Sequence, residues 1–87
     1  MPPRKKKRPP LVEILWTDIT GYGPNWSSAE DVAAAKSTRC RTAGYLVAKT
    51  RKEVKVTDSL TEDGGYGGIT VIPRGVVHEI RLLAPLG

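Results

Sequence analysis

Apolar and polar residues alternate with a period of two over most of this chain. In "LVEILWTDIT", Val12, Ile14 and Trp16 fall on one side and Glu13, Leu15 and Thr17 on the other, the mark of a half-buried strand. "TRCRTAGYLVAKT" repeats the pattern, with Cys40, Thr42, Gly44, Leu46 and Ala48 on one face and Arg39, Arg41, Tyr45, Val47 and Lys49 on the other. "RKEVKVTDSL" follows after a tight turn with Val54 and Val56 inward. "ITVIP" predicts a fourth strand stopped by Pro73, and "VVHEIRLL" a fifth, separated from it by only Arg74 and Gly75. The texture breaks once, at "SSAEDVAAAK", where Ser27 and Glu30 fit a capping box and Lys36 closes the last turn of a short helix. That helix offers only Val32 and alanines as an apolar face, so light packing over a loop is expected. "GYGPNW" and "TEDGGYGG" read as loops.

Five short strands, a glycine in mid-strand at Gly44 and a one-turn link before the last strand describe a mainly β domain over residues 11–87: a small five-stranded SH3-like or Sm-like barrel with one short α-helix after the first strand. Closure would remove edges that so short a chain has little else to cover. An open sheet with the helix across one face is the alternative. The expected core is Val12, Ile14, Trp16, Leu46, Val54, Val56, Ile69, Val71, Ile80 and Leu82.

Charge changes this picture at one place. The 87 residues carry 14 Lys and Arg against 9 Asp and Glu, for a net charge of +5. Arg4, Lys5, Lys6, Lys7 and Arg8 stand together in "MPPRKKKRPP", and without them nine basic residues balance nine acidic ones. The excess therefore belongs to residues 1–10, which proline content and mutual repulsion predict to be a disordered basic arm. Closely spaced cations neutralise phosphates and release counterions, so nucleic acid is the natural partner of such an arm. A solubility tail is the plain alternative.

Outside the arm, Arg39 and Arg41 share a strand face with Lys49, close to Arg51 and Lys52. This is the next basic cluster, with Glu13, Glu53 and Asp58 as candidates to balance it. The glycine-flanked Tyr22 and Tyr66, together with Trp26, are the rings best placed to stack bases or grip a peptide from a loop. Glycines followed by no Gly-Lys-Ser/Thr make no phosphate loop. Cys40 is the sole cysteine and His78 the sole histidine. One cysteine makes no intramolecular disulfide, and His78, in step with Val76, Ile80 and Leu82, is expected to be a satisfied, partly buried imidazole. With no nucleophile or acid–base pair in view, no enzyme, metal or cofactor is expected. No apolar run reaches membrane-spanning length, which points to a soluble protein of the cytoplasm.

The stretch "CRTAGYLVAKTRKEVKVTDSL…ITVIPRGVVHEIRLL", with Trp26 before the helix, resembles small uncharacterised proteins of tailed phages and prophages. It is more distantly similar to Sm-like RNA-binding barrels. The resemblance covers roughly residues 12–83 and leaves out the arm. It implies a phage-type binding module working in the host cytoplasm, with nucleic acid or a phage or host protein as partner. The expectation is nucleic-acid contact without sequence specificity through Arg4–Arg8, supported by Arg39, Arg41, Tyr22, Trp26 and Tyr66. The alternative is an assembly adaptor, able to form homo-oligomers through its barrel edges.

Overall fold

The computed structural model describes residues 8–23 and 25–83. Strands β1 (Leu11–Asp18), β2 (Thr38–Lys49), β3 (Glu53–Thr57), β4 (Ile69–Pro73) and β5 (Val77–Leu82) form one antiparallel sheet in the order β4-β3-β2-β1-β5. The chain is mainly β, as the alternation predicts. The sheet is not closed, however: β4 and β5 are its two edges and do not pair with each other. The barrel expected from five short strands, the mid-strand Gly44 and the one-turn link before the last strand therefore gives way to an open sheet, and helix α1 (Ala29–Ala34) does not cover it, since none of its residues is buried.

β2 connects the two halves of the sheet. Its first part, Thr38 to Tyr45, pairs with β1, and its second part, from Tyr45 to Lys49, pairs with β3. Gly44 sits at the hand-over, buried, where a Cβ would lie 2.7 Å from the Thr57 carbonyl oxygen and 3.2 Å from Val56 Cβ. Only a residue without a side chain lets β3 approach so closely, which is the physical content of the mid-strand glycine.

The core is small. Val12 and Ile14 of β1, Val54 and Val56 of β3 and Ile72 of β4 are buried, and Trp16, Leu46, Val76, Val77 and Ile80 pack around them. Trp16 keeps its indole N–H satisfied by donating to the Thr42 hydroxyl at 2.8 Å. Seven of the ten expected core residues are thus in or against the core, but Ile69, Val71 and Leu82 are exposed. The reason for the first two is register. Val54 opposes Ile72 and Lys55 opposes Val71, so the buried valine selects Ile72 as the inward residue and turns Ile69 and Val71 outward. Leu82 does oppose Val12, but on an edge strand with nothing beyond it.

Two ladder irregularities correct the face assignments. Between Leu46 and Ala48 the register of β2 shifts, so that Lys49 opposes the buried Val54 and leaves the face of Arg39 and Arg41. Between Leu15 and Trp16 a second shift sets Leu15 against Glu79 but Trp16 against Val77, leaving His78 unpaired between them. His78 is consequently exposed rather than partly buried, and its Nε2 hydrogen-bonds the Thr17 hydroxyl.

α1 starts one residue later than the sequence suggests. Ser28, not Ser27, is the N-cap: its hydroxyl accepts from the Asp31 N–H at 3.0 Å, and the Asp31 carboxylate accepts from the Ser28 N–H at 3.1 Å. Lys36 lies beyond the helix, which has no basic residue in its last turn. The segment between β1 and β2 leaves the sheet at Asp18 and returns at Thr38, and these two residues are a directly opposed pair.

Candidate nucleic-acid interface

Arg4, Lys5, Lys6 and Lys7 lie outside the described residues. Arg8 is exposed, and the Pro10 carbonyl accepts from the Leu46 N–H at 2.8 Å. The arm therefore joins the sheet beside the middle of β2, at the start of β1.

Arg39 and Arg41 sit at the other end of β1, on the outer face of the sheet, opposite Thr17 and Leu15 respectively. With a rise of about 3.3 Å per residue, Thr17 lies roughly 20 Å along the strand from Leu11, where the arm begins. The two arginines share with Leu15, Trp16, His78 and Glu79 an outer-face cleft of about 320 Å³. Glu13, one step along β1, approaches Arg41 at 3.8 Å and Arg81 at 3.7 Å, and Glu79 holds Arg81 at 3.3 Å. The Glu79 hydrogen bonds and charge, with a smaller contribution from Glu13, raise the pKa of the Arg81 guanidinium above its ordinary value. Arg81 thus takes up most of the acidic charge, and Arg39 has no acidic partner within 4.0 Å among the described residues. An exposed guanidinium with no acidic partner beside a weakly paired one presents free N–H donors of the kind that hydrogen-bond anionic oxygens.

The loop aromatics do not join this cleft into one platform. Tyr22 is fastened by its hydroxyl, which accepts from the Lys36 N–H at 2.9 Å and donates to the Lys36 carbonyl at 2.7 Å. It borders a second, more open cleft with Thr17, Asp18, Ile19, Lys36 and Val76. Trp26 is fully exposed, as is most of Ile19, and neither packs over the helix start. Tyr66 is on the β3–β4 loop, bridged to Leu60 beyond the Thr57–Ile69 pair, and it lines neither cleft. The sequence therefore marks exposed rings correctly, but Tyr22, Trp26 and Tyr66 do not line the cleft of Arg39 and Arg41. Sequence reasoning missed His78 and Glu79 as neighbours of Arg39 and Arg41, because the ladder shift that brings them there leaves no mark in the period-two pattern. Cys40 is half-buried and free.

No group of three or more His, Cys, Asp or Glu suited to a metal ion occurs among the described residues. No helix among them is long and apolar enough to cross a membrane. Compared with known proteins, the chain matches no family model, no curated protein and no solved structure.

Proposed function

We propose that this protein is a non-enzymatic nucleic-acid-binding module of phage type, acting in the host cytoplasm. Its open five-stranded sheet is akin to the SH3-like and Sm-like folds without their barrel closure: the strand order, a β2 shared between two halves and the 3-10 turn Arg74–Val76 before β5 support that reading. The observation that carries the functional reading is the segregation of charge, with the net +5 residing in Arg4–Arg8 while the remainder balances. The arm supplies phosphate contacts without base specificity, and Arg39 with Arg41 provides a second contact along β1.

The test is binding of unrelated single- and double-stranded oligonucleotides across a salt series. Five cations give a slope of log K against log salt between about −3 and −4.5, with similar affinity for all sequences. The triple variant Lys5→Ala, Lys6→Ala, Lys7→Ala loses binding. Undiminished binding by the triple variant, or a slope near zero, rejects the reading.

A second reading is an assembly adaptor with an incidental arm. The fully exposed Trp26, on a loop it shares with the exposed Ile19, favours it. Removal of residues 1–10 separates the two, since an adaptor keeps its protein partner without them.

A further inference from the structure

We propose that the free edge of β4 pairs with β4 of a second copy, forming a twofold dimer whose sheet runs continuously across the interface. The argument starts from which backbone groups β4 leaves free. The Asp58 N–H donates to the Gly68 carbonyl at 3.1 Å and the Arg74 N–H to the Lys52 carbonyl at 2.9 Å. Antiparallel ladders alternate, and Val54 opposes Ile72 while Val56 opposes Thr70, so the even-numbered residues of β4 bond to β3. Ile69 and Val71 then point both their N–H and C=O outward, and Pro73 offers only a carbonyl.

A second β4 satisfies these groups in one register. Opposed residues of an antiparallel pair share a face, so a twofold axis normal to the sheet passes through Thr70 or Val71. Through Thr70, Ile69 of each copy meets Val71 of the other, and four hydrogen bonds use every outward N–H and C=O of Ile69 and Val71. Centred on Val71, Ile69 would face a proline, which has no N–H to give, and its carbonyl would stay unpaired. The favoured register also sets Ile69 and Val71, 49% and 46% exposed, against each other twice on the outer face. Such cross-strand β-branched pairs are stabilising.

Pro73 is the one blunting device on this edge, and it lies at the end of the strand, outside the favoured register. β4 has no charged residue and no register shift, and no element among the described residues pairs with its outer edge. The opposite edge, β5, carries Glu79 and Arg81 and faces the ladder shift at Leu15/Trp16, both devices that blunt an edge. A β4-to-β5 contact would moreover be head-to-tail, whereas β4 with itself closes at two copies.

So short a ladder buries less than the ~1,200 Å² of a standard interface, so dissociation in the micromolar range or weaker is expected. Sedimentation velocity of the nucleic-acid-free protein from about 5 µM to 1 mM reads this directly, independently of what the arm binds. The weight-average sedimentation coefficient should rise toward the dimer value in the parent and stay at the monomer value for Val71→Lys. Val71 is exposed, so the fold should survive, as unchanged far-UV circular dichroism would show. Mixing Val71→Lys with Ile69→Glu should restore dimer, because the register sets those two positions against each other. Leu82→Lys, on the β5 edge, should dimerise like the parent. A parent that stays monomeric throughout overturns the proposal, as does a dimer that Leu82→Lys dissolves and Val71→Lys does not. Failure of the mixed pair to associate overturns the register.

Discussion

The Tyr22 hydroxyl closes a two-way clamp on the backbone of Lys36, accepting from its N–H and donating to its carbonyl. A single phenol thus holds the start of the β1–β2 excursion against its end. Tyr22→Phe removes both bonds and keeps the ring. The Lys36 amide should lose its protection from hydrogen exchange, while global stability falls by no more than about 1 kcal/mol, because these groups are exposed and water replaces their partners. Amide exchange followed by NMR, beside a denaturant titration, checks both halves.

Gly44→Ala probes the hand-over in β2. The added Cβ meets the Thr57 carbonyl oxygen at 2.7 Å, and a backbone atom in a ladder has little room to retreat. Overpacking of this kind should cost about 1–3 kcal/mol in denaturant unfolding. A cost near zero would mean that β3 can move away from β2 without losing the core.

The register of β4 and β5 makes a paired prediction. Ile72→Ala should destabilise by about 2–4 kcal/mol, since the side chain is buried against Val54 and Val56. Leu82→Ala should stay within about 0.5 kcal/mol, its side chain being mostly exposed. Equilibrium unfolding of the two variants at low protein concentration distinguishes them cleanly.

Asp31 reports on the cap of α1. Hydrogen bonds from the Ser28 backbone and then its hydroxyl hold the carboxyl below its ordinary aspartate value. A depressed folded-state pKa means that the cap's contribution is present above the unfolded value and is lost as pH falls through the folded one. Helix α1 should therefore fray only at pH below the ordinary aspartate range. In Ser28→Ala, the Asp31 titration midpoint, read from its carboxyl ¹³C shift, should move back up toward that range.

These positions also show what the sequence makes legible. β1 is readable because one face is wholly apolar, Val12, Ile14 and Trp16, while Glu13 and Thr17 flank Leu15 on the other. β4 is not, because both of its faces are apolar: Ile69 and Val71 on one, Ile72 on the other. Period two then names the strand but not its inward side, and only pairing with Val54 decides. The helix start was ambiguous for a similar reason, since Ser27 with Glu30 and Ser28 with Asp31 offer the same box in two adjacent frames. The faces of Lys49 and His78 turned on single-residue ladder shifts, which arise between strands and not within one. Arg39 and Arg41 can be paired from spacing alone, but their distance from the start of β1 depends on the pairing of β1 with β2.

The opposed pair Asp18 and Thr38 has a practical consequence. The chain leaves and re-enters the sheet at one point, and the helix it builds meanwhile contributes no buried residue. A foreign peptide could replace that whole excursion with its two ends already held a strand spacing apart, so the sheet is a natural frame for displaying grafted loops.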